Sequence, residues 1–253
     1  MKFRPCIDIH NGKVKQIVGG SLRDSGSQAK NNFVSEYDAG YYADLYRRDG
    51  LYGGHIILLN REGTEYYKED VWQAEKALRA FPGGLQLGGG IHRENAEYFL
   101  NLGATHVIVT SYVFRQGRID YDRLEKLSNQ IGKEHLVLDL SCRFVQDDYY
   151  IVTDRWQNVT RERMTLETLD TLSGYCDEFL VHAVDVEGRA SGIEREIVHR
   201  LGEYQGIPVT YAGGIHEMED IRFLREAGKD RVDYTVGSAL DLFGGVIPYR
   251  ELR

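Results

Sequence analysis

Proline is scarce in this 253-residue chain, with four in all, and cysteine is scarcer, with three. So little proline argues against a stiff linker or a proline-rich recognition segment. Cys6, Cys142 and Cys176 are odd in number, widely spaced and form no CxxC pair. That pattern argues against a disulfide framework or a structural zinc site, and the three read as buried reduced thiols. No uncharged apolar run reaches the ~18 residues of a membrane span. The chain enters a strand-like pattern at Phe3, with no signal or transit character before it, so a cytoplasmic location is expected. Basic residues number 31 against 39 acidic ones, a net charge of −8, which leaves no electrostatic footprint for nucleic acid. An anionic ligand must then be met by local backbone donors.

Glycine, by contrast, is plentiful. The 28 glycines are about 11% of the chain against a typical ~7%. Without repetitive tracts they point to tight turns and close backbone approaches. Hydrophobic residues at 42% and charged residues at 28% give an ordinary globular composition.

The chain repeats itself. Gly89-Gly90-Ile91-His92 followed by Phe99-Leu100 recurs as Gly213-Gly214-Ile215-His216 followed by Phe223-Leu224, every identity at an offset of 124. Val109-Thr110-Ser111 aligns with Val236-Gly237-Ser238 at an offset of 127, and Ile7-Asp8-Ile9 with Leu138-Asp139-Leu140 at 131. An ordered series at about half the chain length reads as two homologous halves, roughly 1–131 and 132–253, within a single domain.

Each half alternates short apolar runs with amphipathic stretches. The strand candidates are 3–9, 55–60, 85–87, 106–110, 136–140, 178–184, 207–212 and 232–236. Between them, Val71, Ala74, Leu78 and Phe81 recur at helical spacing until Pro82-Gly83-Gly84 stops the run, and further helices end at Gly103 and Gly228. Eight strands alternating with helices, in two sets of four, imply an α/β fold: a closed (β/α)8 TIM barrel built from two (β/α)4 halves. An open dinucleotide-binding sheet would need G-x-G-x-x-G after the first strand, and Asp8-Ile9-His10-Asn11-Gly12 does not supply it.

Barrel sites form at the carboxyl ends of the strands. That rule selects Asp8 and Asp139, at the ends of strands one and five, facing one another across the mouth. Paired carboxylates suit acid–base catalysis. Gly89 and Gly90 end strand three, Gly213 and Gly214 strand seven, Thr110 and Ser111 strand four, Gly237 and Ser238 strand eight. Glycine admits a phosphate to the backbone, and a following helix start adds N–H donors. Two such constructions imply a ligand with a phosphate at each end. The segments 18–32 and 141–160 read as lids, the second bringing Arg143 and Trp156, a group able to stack on a heteroaromatic ring. His55, at the start of strand two, falls at the wrong end for catalysis, and no metal or cofactor is assigned.

The stretch from Arg4 to Ile9 with Gly12 to Gly20 resembles the HisA family, the phosphoribosylformimino-5-aminoimidazole carboxamide ribotide isomerases of histidine biosynthesis. Gly88–Ile91, Val107–Ser111, Val137–Arg143, Asp185–Gly188, Tyr211–Ile215 and Gly237-Ser238 continue the likeness in order. Asp139-Leu-Ser-Cys-Arg143, Trp156-Gln157 and His182-Ala-Val-Asp-Val-Glu-Gly188 are similar to its eukaryotic-type branch. The resemblance implies an Amadori rearrangement of an aminoaldose to an aminoketose without metal or nucleotide cofactor. It implies Asp8 as general base, Asp139 as general acid, Trp156 stacked on substrate, and Gly19 and Gly20 among the binding residues. The partner implied is a small molecule with two phosphates, with no nucleic acid and no membrane, and a monomeric chain. The related cyclase of imidazole glycerol phosphate synthase is the alternative, and a non-catalytic binder of phosphorylated metabolites the second.

Overall fold

In a computed structural model, residues 1–17, 31–186 and 192–253 are described. Gly19, Gly20 and the Glu187-Gly188-Arg189 stretch lie outside them. Eight strands run parallel: β1 (Cys6–His10), β2 (Gly54–Leu58), β3 (Leu85–Gly88), β4 (Val107–Val109), β5 (Leu136–Asp139), β6 (Glu178–His182), β7 (Val209–Ala212) and β8 (Val232–Tyr234). Each pairs with its successor in chain order. A parallel bridge between Phe3 and Tyr234 closes the ring, with Arg4 N–H donating to Tyr234 O at 2.8 Å and Tyr234 N–H to Lys2 O at 3.0 Å. The sheet is therefore a barrel. The first strand expected over 3–9 is divided at Pro5, which has no N–H to give the ladder. Residues before it pair with β8, and from Cys6 onward the chain pairs with β2.

The barrel strands are buried almost without alternation, as in β3 and β7, because helices cover the outside and side chains fill the inside. The outer helices are α1 (Ala39–Arg48), α2 (Tyr67–Ala80), α3 (Ala96–Asn101), α4 (Tyr121–Ile131), α5 (Leu166–Leu172), α6 (Arg195–Glu203) and α7 (Met218–Ala227). Local chemistry sets their ends. Asp38 accepts from Tyr41 N–H at 3.0 Å to cap α1. Two residues before Pro82, α2 ends, and α7 runs from a Glu217–Asp220 capping box to Gly228. After β8, short 3-10 turns at Asp241–Phe243 and Tyr249–Glu251 stand where an eighth α-helix would lie.

At the amino end of the barrel, Arg4 pairs with Glu178 at 3.0 Å and Asp233 at 2.8 Å, and Gln86 and Thr210 each donate to Glu178 at 2.8 Å. Every buried charge there has partners, so this end is a polar plug. Above it a small apolar cluster of Ile57, Ile108, Val137, Leu180 and Ala212, separate from the main core, forms the floor of the mouth.

Two insertions rise over the mouth. Asn11 and Gly12, both at positive φ, turn β1 back into an antiparallel hairpin over Lys13–Ile17, to which Asn31–Val34 adds a further strand. The segment 141–160, read as a lid, is a three-stranded antiparallel sheet over Cys142–Val145, Asp148–Thr153 and Asn158–Arg163. Its signal was the run Tyr149-Tyr150-Ile151-Val152-Thr153, rich in aromatic and β-branched residues that favour strands. A bonded sheet fixes the position of Trp156 where a polar loop would not.

Candidate active site

Asp139 is the last residue of β5, and its side chain is 16% exposed. Ser141 donates to its Oδ1 twice, from N–H at 2.9 Å and from Oγ at 2.7 Å. Thr110 Oγ1, at the end of β4, donates to Oδ2 at 3.1 Å. His182, ending β6, brings Nδ1 to 3.8 Å from Oδ1, within ion-pair range but beyond a hydrogen bond. Burial pushes this carboxyl up, but His182 and the Ser141 and Thr110 hydroxyls together outweigh it, and Asp139 is held below the usual carboxylate range. It is ionised in the free protein. The desolvated site is filled with groups that favour the charged carboxylate and so oppose the effect of burial.

Asp8 has a different setting. It points from β1 into the same mouth and accepts from Gln16 Nε2 at 3.1 Å, across the hairpin that Asn11-Gly12 creates. Two cavities meet at Asp8 and His182. The larger, of about 350 Å³, is lined by Gly89, Gly90, Thr110, Ser111, Asp139 and Trp156 among others. The smaller, of about 250 Å³, is lined by Gly213, Gly214, Gly237 and Ser238 together with Cys6 and His55. The strand ends chosen from sequence are thus gathered into one mouth.

Two of the glycines are there for close approach. A Cβ on Gly89, whose φ is +99°, would run into the Leu58 backbone, and one on Gly214, at +76°, into Gly192 O. The helix starts are another matter. Asp220 accepts from His216 N–H at 3.0 Å and Glu217 N–H at 3.3 Å, so α7 caps itself. Asn95 accepts from His92 N–H at 2.9 Å ahead of α3. The N–H groups of His216, Glu217 and His92 are thus already taken. The hydroxyls in the larger cavity are engaged too: Thr110 with Asp139, and Ser111 Oγ accepting from Asp154 N–H at 2.9 Å.

Trp156 sits in three successive left-handed residues, Asp154, Arg155 and Trp156, which turn its indole back over the mouth. Its Nε1 donates to Ser141 Oγ at 3.1 Å, and its ring lies 6.0 Å from that of His182. Ser141, fully buried, thus links the indole to the carboxylate. Arg143 does not reach either cavity. It alternates outward on its strand and pairs with Asp185 at 2.9 Å, while Arg155, which the sequence reading passed over, lines the larger cavity and donates to Leu59 O at 2.7 Å. His55 does stand near the start of β2, and its side chain enters the lumen, where burial, with His182 adding, lowers its pKa to about 3. Nothing but the barrel register could show this, since His55 stands directly beside Cys6.

Residues 2–247 match the model of a family described as histidine biosynthesis protein. A chloroplastic protein of Medicago truncatula is 51% identical over 256 residues, covering all of this chain and 80% of that protein. Proteins of Yarrowia lipolytica and Saccharomyces cerevisiae are 46% and 41% identical, each over 96% of this chain and 93% of its own length. All three carry the name 1-(5-phosphoribosyl)-5-((5-phosphoribosylamino)methylideneamino) imidazole-4-carboxamide isomerase. With its parallel barrel, paired mouth carboxylates and glycine-ended strands, the chain belongs to the histidine biosynthesis protein family, in its HisA isomerase branch.

Proposed function

We propose that this chain converts a phosphoribosyl aminoaldose carrying an imidazole carboxamide into its aminoketose, the reaction in its relatives' names. The observation that supports this best is the pairing of Asp8 and Asp139 over one mouth whose two cavities end in glycine loops. A ligand with a phosphate at each end lies with its sugar between the carboxylates and its ring under Trp156.

The chemistry divides between two places on the sugar. A proton delivered to the ring oxygen breaks its bond to C1′, and the nitrogen lone pair forms the C1′ iminium. A base then takes the C2′ proton, giving an enolamine. Loss of the C2′ hydroxyl proton and protonation at C1′ complete the aminoketose, with no net gain or loss of atoms. Asp8, which accepts from Gln16 Nε2, serves as base at C2′. Asp139 serves the ring oxygen together with His182, since Asp139 alone is ionised. The pair carries the proton that an isolated carboxyl would have carried.

The cyclase alternative has the weaker support, as the named relatives are isomerases throughout. A turnover assay with the aminoaldose, with and without ammonia, separates the two. Ammonia-dependent formation of an imidazole product, without aminoketose, would overturn the isomerase reading. The reading also carries a single domain of two half-repeats, a monomeric state checked by sedimentation, and work in the cytoplasm. Among the described residues no helix is long and apolar enough to cross a membrane. The Medicago relative is named as chloroplastic, so the location of a tagged chain is the test of compartment.

A further inference from the structure

The lumen holds two side chains that the rearrangement does not use, Cys6 and His55, beside one that it does, Asp8. Cys6 and Asp8 are two apart on β1 and so share a face, and His55 is the direct neighbour of Cys6 on β2. All three therefore point into the barrel. Their sulfur, carboxylate oxygen and imidazole nitrogen lie within 4.8 Å of one another, and each of the three lines the smaller cavity, which opens at the mouth. Cys6 and His55 are each 3% exposed. Gln16 Nε2 approaches both Cys6 Sγ, at 3.7 Å, and Asp8 Oδ2, at 3.1 Å, so one amide now occupies the space between two of the three groups.

We propose that Cys6, Asp8 and His55 form an inhibitory site for a thiophilic divalent cation such as Zn²⁺. A sulfur, a nitrogen and one carboxylate oxygen make a ligand set that selects zinc or cobalt over magnesium or calcium, which prefer oxygen. Three protein ligands with the fourth position open to the cavity match the coordination of accessible zinc sites. Ligand atoms around tetrahedral zinc stand about 3.3–3.8 Å apart, given bond lengths of about 2.0–2.3 Å. The widest pair here closes by no more than about 1.5 Å, which rotation of the Asp8 side chain at the mouth and withdrawal of Gln16 supply. Binding replaces the Cys6 S–H bond with a sulfur–metal bond, and the proton leaves to solvent. No oxidant or reductant is involved. With its carboxylate bound to metal, Asp8 cannot take a proton from C2′, so a bound cation stops turnover.

The test uses the full chain and Co²⁺ as a spectroscopic stand-in for Zn²⁺. One Co²⁺ per chain should bind with a sulfur-to-cobalt charge-transfer band and the visible bands of a four-coordinate ion, and Zn²⁺ should displace it. Cys6→Ser should abolish the charge-transfer band, and His55→Gln should weaken binding at least ~10-fold, the lower bound for disturbing a metal site. On the unmodified chain, Zn²⁺ should protect Cys6 from alkylation as read by peptide mass, an arm that survives if either variant fails to fold. Absence of the band, its persistence in Cys6→Ser, or alkylation unchanged by Zn²⁺ would overturn the site. Inhibition of turnover by Zn²⁺, reversed by chelator and not produced by Mg²⁺, rests additionally on Asp8 as base. A cobalt band without zinc inhibition would refute that role and leave the cation site standing.

Discussion

Ser141→Ala removes a single oxygen atom from a fully buried position, and that atom has two duties. It donates to Asp139 Oδ1 at 2.7 Å and accepts from Trp156 Nε1 at 3.1 Å. A hydrogen bond to a charged group contributes about 1.5–3 kcal/mol, so its loss raises the Asp139 pKa by about 1–2 units. The Ser141 N–H and Thr110 bonds remain, so Asp139 stays the same residue in the same place with a weaker acid limb. The sign follows from the direction of its shift. The folded-state pKa of Asp139 is depressed, so its stabilisation is present above the ordinary carboxylate pKa and is lost as pH falls through the folded value. In Ser141→Ala the acid limb of the kcat/KM profile should therefore move to higher pH by about 1–2 units. Trp156 loses its acceptor as well, so its fluorescence should change and substrate affinity should fall. Ser141→Thr, which restores the hydroxyl, should recover the limb. An acid limb that stays in place in Ser141→Ala, with normal folding, refutes the idea that this hydroxyl holds Asp139 ionised.

Asp8→Asn and Asp139→Asn should each lower kcat by at least ~10² with substrate affinity within about tenfold, as expected for groups in acid–base catalysis; near-normal kcat in either marks that carboxylate as structural. Arg155→Ala should raise KM, whereas Arg143→Ala, paired with Asp185 away from both cavities, should leave KM within about twofold; the opposite order in steady-state kinetics would refute the placement. Gly89→Ala should lower thermal stability by more than the ~1 kcal/mol of left-handed strain alone, because its Cβ meets the Leu58 backbone, while Gly90→Ala, with open space around it, should cost only that strain. Equal melting temperatures for the two variants would show that Gly89 is not a close-approach position.

Much of the fold was legible because barrel strands announce themselves locally. Short apolar runs bounded by glycine or polar turns, repeated at about half the chain length, depend only on burial from both faces and on turn chemistry. Strand-end position then led to Asp8, Asp139 and the four glycine or hydroxyl pairs, since parallel strands all finish on the same side of the barrel. What sequence could not carry were the directions of individual side chains. Arg143 and Arg155 look alike in the chain, yet alternation along one short strand sends the first toward Asp185, and three left-handed residues bring the second over the mouth. His55 looked remote because it begins β2, but the register beside Cys6 carries it into the lumen. The charge state of Asp139 likewise belongs to tertiary structure. Burial pushes its pKa up; hydroxyls at the end of β4 and just past β5, with the imidazole at the end of β6, outweigh that and hold it down. Patterns of burial are written along the chain, whereas the balance of charge at a point is set by whatever the closed barrel brings to it.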